Sequence, residues 1–110
     1  MPFYLTRFSY TPETWAKLIK NPEDRRSAAR ECIEASGGKL HGFWYAFGEQ
    51  DGCVLWEAPD NVSMAATALA IGAGGALRSF ETNVLLTVEE AMAAMKKASS
   101  IAYRPPGGTA

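Results

Sequence analysis

The sequence predicts a single α+β domain with the ferredoxin-like, split β-α-β arrangement, in which helices cover one face of a four-stranded antiparallel sheet. Two observations lead to this fold class. Segments rich in aromatic and β-favouring residues alternate with helical patterns in the order β-α-β-β-α-β-α, so a helix follows the last strand. The chain has 110 residues, 47% of them hydrophobic, which is enough for one core. We assign residues 1–100 to the domain and residues 101–110, rich in proline and glycine, to a C-terminal tail.

The first half of the domain begins with a strand and two helices. Residues 3–8 are mostly aromatic or β-favouring and predict the first strand. Thr11 stands ahead of a proline and predicts the N-cap of a helix that ends near Lys20. A second proline, followed by acidic residues, predicts a separate helix over residues 22–36. Gly37 is expected to end that helix in the left-handed conformation.

The second half begins with an aromatic-rich hairpin over residues 37–59, which supplies the second and third strands. Asp60 predicts the N-cap of a helix over about residues 61–71, which are almost wholly small and apolar. Residues 77–86 alternate in the manner of a strand and predict the fourth. Thr87 has a glutamate three residues later, which matches the capping box and predicts the start of the last helix.

Composition excludes several classes of function. A net charge of −1 and a pI near 5.8, without a basic patch, argue against binding to nucleic acid. Because the sequence has no secretory pattern and no apolar segment long enough to span a bilayer, we expect a cytoplasmic protein without a membrane partner. Cys32 and Cys53 are expected to be reduced and lack metal-ligand spacing. With one histidine the chain offers no recognisable zinc or haem ligand set, and we expect neither a metal nor a cofactor.

The second strand carries large aromatic side chains on both faces. A period of two places Phe43, Tyr45 and Phe47 on one face and Trp44 on the other. Helices on one side of the sheet leave the other side uncovered, and an apolar face of that size needs a partner. The sequence therefore predicts a homodimer that forms through the free face of the sheet.

Several segments resemble the GYD family, small bacterial and archaeal proteins of the dimeric α+β barrel group. The segments that carry the resemblance are Asn21-Pro22-Glu23, Gly37-Gly38-Lys39-Leu40, Phe47-Gly48-Glu49-Gln50-Asp51 and Glu57-Ala58-Pro59-Asp60. The family is named for a Gly-x-Tyr-Asp turn after the second strand, and here Gln50 stands in place of the tyrosine. The resemblance implies the dimeric α+β barrel fold, and it implies no established activity, substrate or cofactor.

His41 is the candidate catalytic residue. As the only histidine, it is expected by the period of two to share a face with the aromatic residues Phe43, Tyr45 and Phe47. A neutral imidazole in such surroundings can act as a general base near neutral pH. A lone histidine is more often a surface or core residue, so both interpretations stay open.

Other candidate ligand-binding residues lie in the hairpin and the fourth strand. Glu49 and Asp51 are either polar anchors at the mouth of a pocket or parts of a hairpin turn, in which Asp51 and Gly52 supply positive φ angles. Glu57 and Arg78 are charges inside strands, which either orient a substrate or pair across the sheet. Tyr45 and Trp44 belong either to a pocket wall or to a dimer interface.

The main functional hypothesis is a dimeric protein that binds a small apolar or aromatic ligand between sheet and helices. One alternative is a cofactor-free enzyme that transfers a proton to or from an activated phenol or enol, or oxygenates it. In that case His41 is the base, and Arg78 or Glu57 orients the substrate. The other alternative is a structural or assembly protein without a ligand. The position of His41 relative to a cavity discriminates between them.

Overall fold

The computed structural model describes residues 1–108 and contains four strands and four helices. In chain order they are β1 (Phe3–Tyr10), α1 (Pro12–Lys20), α2 (Arg25–Ala35), β2 (Lys39–Tyr45), β3 (Gly52–Glu57), α3 (Asn61–Ala73), β4 (Leu77–Leu85) and α4 (Val88–Ala98). The strands form one antiparallel sheet in the order β2-β3-β1-β4. This is the ferredoxin-like topology, and the predicted fold class is confirmed.

The helix starts follow the predicted caps, with one exception. The side chains of Thr11, Asp60 and Thr87 accept hydrogen bonds from the first turns of α1, α3 and α4, and Thr87 forms a complete capping box with Glu90. The exception is α2, which begins three residues later than predicted. Asp24 is its N-cap and accepts a hydrogen bond from the Arg26 N–H at 2.9 Å. Within residues 1–108 no helix is long and apolar enough to cross a membrane.

The end of α2 has the predicted left-handed residue. Gly37 has φ of 88°, and its N–H donates to the Glu34 carbonyl at 2.9 Å. The N–H of Gly38 reaches back to the Ile33 carbonyl at 3.0 Å, which completes a Schellman motif. The chain reverses tightly here, so β2 returns beneath the helix that it follows and the two elements pack together.

The hydrophobic core lies between the sheet and the helices. Alternate residues of β1 and β3 face this side and are buried, and Ile33 of α2 and Ala58 join them. The buried hydrophobic residues are Tyr4, Phe8, Tyr10, Ile33, Val54, Trp56 and Ala58. α2 packs on β2 and α3 packs on β4, so the two helices stand over opposite halves of the sheet.

The other face of the sheet, which we call the outer face, carries the remaining residues of the same strands. Phe3 lies opposite Leu85, and Leu5 lies opposite Leu55 on the neighbouring strand. Trp44 of β2 shares this face and is 53% exposed. The outer face therefore presents apolar residues, beside the ion pair of Arg7 and Glu81, that α1, α2 and α3 do not cover.

α4 stands away from the rest of the domain. It packs substantially on no other element of the described chain, and none of its residues is buried. The Cα radius of gyration is 18.0 Å and the longest dimension is 61 Å. A compact domain of about 100 residues has a radius of gyration of about 13 Å. α4 and residues 99–108 that follow it therefore form an extended arm, and residues 109–110 of the predicted tail lie outside the described residues.

Candidate functional site

A cavity of about 330 Å³ lies between the helix-facing side of the sheet and the gap between α2 and α3. Its volume is at the lower end of the range of small-molecule sites, about 300–1,000 Å³. The residues that line it are Thr6, Phe8, Tyr10, Arg25, Ala28, Ala29, Cys32, Phe43, Val54, Ala70, Ile71, Gly74, Ala76 and Leu77. Most of these side chains are apolar, which suits an apolar or aromatic guest.

The cavity exists because the helices approach the sheet with small side chains. Ala28, Ala29 and Cys32 lie on one face of α2 by spacings of one, three and four residues, and Ala70 extends from α3. Large side chains at these positions would fill the space above Val54 and its neighbours. The small-residue character of α2 and α3, evident in the sequence, becomes a cavity once both helices lie on the sheet.

Tyr10 lines the cavity, and its phenol reaches Tyr45, which lines an adjoining depression. The hydroxyl groups of Tyr10 and Tyr45 are 3.2 Å apart and hydrogen-bonded. Burial, together with the hydrogen bond from Tyr45, raises the pKa of the Tyr10 phenol far above its ordinary value. Tyr10 is therefore a neutral hydroxyl at physiological pH. The Thr6 hydroxyl is already engaged, since it accepts from Trp56 Nε1 at 2.9 Å and pairs with the Thr82 hydroxyl at 2.8 Å.

Arg25 is the charged group of this end of the cavity. It lines the cavity and also an adjoining depression of about 260 Å³, whose other lining residues are Glu23, Asp24, Arg26, Phe43 and Tyr45. Its Nη1 donates to the Glu23 carboxylate at 2.9 Å, and Glu23 does not line the cavity. The cavity thus presents the guanidinium group of this ion pair and not its carboxylate.

His41 does not face the cavity, so its predicted placement beside Phe43 and Tyr45 is wrong. The register between β2 and β3 shifts between Leu40 and Gly42, which makes His41 the extra residue of a β-bulge. Because of this extra residue, the even-numbered residues of β2 face the helices before the bulge and the outer side after it. The His41 ring therefore lies on the outer face, 5.2 Å from the Phe3 ring centroid, and its Nε2 is 2.5 Å from Glu57 Oε2.

The turn over residues 48–52 ties several segments together and lines no part of the cavity. Asp51 Oδ2 accepts hydrogen bonds from the Tyr10 N–H at 3.0 Å and from Trp15 Nε1 at 2.9 Å. Gln50 Oε1 accepts from the Ser9 hydroxyl at 2.7 Å and from the Ser79 hydroxyl at 3.2 Å. These bonds join the turn to β1, α1 and β4, which assigns it a structural role.

Gly52 does not have the positive φ that its place after Asp51 predicts. It is buried in β3, and a side chain added to it would meet the Phe8 ring at 2.5 Å. The residue is small because an aromatic ring packs directly on it. Close approach, and not a tight turn, explains this glycine.

The other predicted site residues are dispersed. Tyr45 is at the cavity end, while Trp44 and Glu57 lie on the outer face. Glu49 is exposed and borders a shallow outer depression, and Arg78 is exposed beside the irregularity of β4. Within residues 1–108, no group of three His, Cys, Asp or Glu side chains is placed to hold a metal ion.

Sequence reasoning missed Arg25, Tyr10 and Cys32 as cavity residues. The signal was present for Arg25, since it precedes Ala28 and Ala29 by three and four residues and so shares their helix face. Cys32 is a half-buried free thiol on the cavity wall. The signal for Tyr10 was only its position at the end of β1.

This chain matches one protein family and is similar to two solved structures. The GYD domain model matches residues 4–95. A comparison with curated proteins found no relative of this sequence. The chain resembles the crystal structure of an uncharacterised NIPSNAP domain protein from Burkholderia xenovorans, with 15% identity, a TM-score of 0.50, and coverage of 80% of this chain and 95% of that chain. A crystal structure of a MhuD mutant with two manganese protoporphyrin IX bound per active site has 17% identity, a TM-score of 0.45 and the same coverage.

At this identity the likeness to the NIPSNAP structure concerns the fold alone. The family match spans nearly all of the four strands, the residues that line the cavity and the turn over residues 48–52. It covers most of the chain, and the chain therefore belongs to the GYD domain family.

Proposed function

We propose that the protein binds a small, largely apolar or aromatic molecule in the cavity between the sheet, α2 and α3. The observation that carries this proposal is the cavity of about 330 Å³, with an apolar wall and a few polar groups gathered at one end. Burial of an aromatic ring against such a wall contributes roughly 25 cal/mol per Å² of apolar surface removed from water. The polar end fixes the orientation of the guest.

The geometry does not favour His41 as a base for a ligand in this cavity. The imidazole lies across the sheet from the cavity wall, beside Glu57 and Phe3. A general base must come within hydrogen-bond reach of the proton it removes. The ligand-binding hypothesis is therefore favoured over the cofactor-free enzyme with His41 as its base.

The two cysteines provide an internally controlled test of ligand binding. Cys32 lines the cavity, whereas Cys53 lies on the outer face opposite Trp44. With a panel of small phenols, indoles and aromatic acids, a compound that enters the cavity is expected to raise the melting temperature. It is also expected to slow alkylation of Cys32 without slowing that of Cys53, as measured by mass spectrometry of labelled peptides.

Three variants sharpen this test. Ala28→Phe places a ring in the cavity and should abolish the thermal shift, while Ala35→Phe, on the exposed end of the same helix, should retain it. His41→Ala should bind as the unchanged protein does. The proposal fails if no compound of the panel shifts the melting temperature and the reactivity of Cys32 is constant throughout.

We further propose that the protein is a homodimer in which the outer faces of two copies pack together. Phe3, Leu5, Leu55 and Leu85 form an apolar surface there, flanked by Trp44. Apolar faces of this kind on small domains mark interaction sites. A two-fold axis through the sheet lets the same surface serve both copies.

The arm supports an assembly role, which is a second candidate function and is compatible with the first. The apolar side chains of α4, including Met92 and Met95, are exposed, and Met95 is 68% exposed. α4 has acidic residues in its first turn and basic residues in its last turn. Two such helices packed antiparallel about a two-fold axis place opposite charges beside each other, which favours a second copy as the partner of the arm.

A further inference from the structure

Among the described residues, Arg25 is the only charged side chain that lines the cavity. Three depressions meet at this residue, which places its guanidinium group at the entrance and not deep in the wall. The side chain of Arg25 is 38% exposed, against 54% for its partner Glu23. The guanidinium is thus partly withdrawn from water, while the carboxylate that pairs with it is the more solvated of the two.

The end of the cavity near Arg25 offers hydrogen-bond donors. Arg25 has five N–H groups, and Nη1 donates one of them to Glu23. Arg25 lies close enough to the Tyr10 hydroxyl to lower its pKa, although the larger effect of burial raises it. The phenols of Tyr10 and Tyr45 share one hydrogen bond, so one of the two hydroxyl protons is left for a further acceptor. A neutral apolar guest would leave these donors without a partner.

We propose that the natural ligand is an aromatic carboxylate whose ring occupies the apolar cavity and whose carboxylate is bound by Arg25 and the paired tyrosine hydroxyl groups. This assignment rests on the proposed ligand-binding function and adds the charge of the ligand. A planar guanidinium group matches the geometry of a carboxylate and binds it with two parallel N–H···O bonds. The ring is held by the apolar wall that Phe8, Phe43 and Val54 contribute.

A matched pair of probes separates charge from shape. Naphthoate and naphthamide have the same ring system, and only the first carries an ionised carboxylate. Calorimetry on the full chain is expected to give naphthoate the higher affinity. Hydrogen bonds to charged groups contribute about 1.5–3 kcal/mol, which corresponds to roughly a tenfold to hundredfold preference.

Variants of two arginines on α2 test the assigned contact. Arg25→Met should lower the affinity for naphthoate by about tenfold or more and leave the affinity for naphthamide within about threefold. Arg30→Met is the control, because Arg30 is an exposed residue of the same helix that does not line the cavity and its loss changes the net charge equally. The pH dependence of binding should follow the carboxylic acid of the probe.

The outcomes distinguish this assignment from the proposal on which it rests. Equal affinities for the two probes, or equal losses in Arg25→Met and Arg30→Met, would overturn the carboxylate assignment while the cavity remains a ligand site. Binding of neither probe, with no protection of Cys32 by any aromatic compound, would overturn both. If Arg25→Met unfolds, Arg25→Lys keeps the charge but not the planar fork, and an unchanged preference for naphthoate in that variant would exclude a bidentate contact.

Discussion

Asp51 connects three segments through one carboxylate. It accepts hydrogen bonds from the backbone of Tyr10 and from the indole of Trp15, and its own N–H donates to the Phe8 carbonyl at 2.8 Å. The Trp15 ring packs in turn on Tyr10 and Tyr45, at centroid distances of 5.0 and 6.0 Å. The aspartate of the motif turn therefore positions the aromatic end of the cavity without lining it.

Replacement of Asp51 by alanine should lower the free energy of unfolding by about 1–3 kcal/mol, because two partly buried donors lose their acceptor. Urea denaturation followed by circular dichroism measures this change. Glu49→Ala in the same turn is the control and should stay within about 0.5 kcal/mol of the unchanged protein, since Glu49 is exposed. Equal stabilities of the two variants would contradict the structural role of Asp51.

The side of the sheet on which His41 lies depends on the register between β2 and β3. Alternation along β2 predicts the same face for His41 and Phe43, and the bulge places them on opposite faces. The extra residue is accommodated by the pairing of β2 with β3, in which Leu40 opposes Trp56 and Gly42 opposes Leu55. Gly42 inside the strand is a sequence signal for a bulge, but which residue becomes the extra one depends on the pairing with β3.

Helix α2 contributes residues to the cavity wall and begins at a charged N-cap, Asp24. Asp24 accepts hydrogen bonds from the N–H and the side chain of Arg26 at its start, and the Gly37 motif closes its end. The side-chain hydrogen bonds with Arg26, followed by the backbone hydrogen bond, lower the pKa of Asp24 from 3.8 to about 2. Because the ionised cap is favoured in the folded state, its protonation in acid weakens the start of the helix.

The sign of this pH dependence follows from the lowered pKa. A carboxyl group whose pKa is lower in the folded state stabilises the protein fully above its ordinary value of 3.8, and this contribution is lost as the pH falls through about 2. Urea denaturation at a series of acidic pH values should show the unchanged protein losing stability relative to Asp24→Asn in this window. Asparagine caps a helix without titrating, so parallel stability curves would refute the role of the Asp24 charge.

Exposed apolar side chains of the whole molecule lie both on the outer face, where Trp44 is 53% exposed, and on α4, where Met95 is 68% exposed. The outer face and the arm contribute separate parts of this apolar surface, and the radius of gyration of 18.0 Å reflects the arm. A dimer that uses both would bury the leucines of the sheet and the methionines of α4. The proposed dimer interface would thus be a property of the whole molecule, since no single element would carry it.

The unchanged protein is expected to have the mass of a dimer at micromolar concentration when measured by light scattering after gel filtration. Leu55→Arg places a charge on the outer face and should shift the mass to that of a monomer, because a buried unpaired charge is costly. Leu69→Arg is the matched control, since Leu69 is 72% exposed on α3. A monomeric unchanged protein, or dissociation by Leu69→Arg alone, would contradict the proposed interface.

The order of the elements and most of their ends follow from local signals in the sequence. Thr11, Asp60 and Thr87 cap their helices, and Gly37 ends α2, because these signals act through hydrogen bonds and backbone angles within a few residues. The predicted start of α2 at Pro22 is wrong because Asp24, two residues later, is the N-cap. The small residues of α2 and α3 are also evident in the sequence, but the cavity that they leave above the sheet is not.

Only the tertiary structure decided which side chains meet. The cavity arises where small residues of α2 and α3 face large aromatic residues of β1 and β2, and this pairing depends on how the helices settle on the sheet. The bulge moved His41 away from that site, and the helix face of α2 brought Arg25 into it. A helix or strand can be predicted from local signals because capping hydrogen bonds and backbone angles involve only a few neighbouring residues. A binding site depends instead on the register and packing of segments that are distant in sequence.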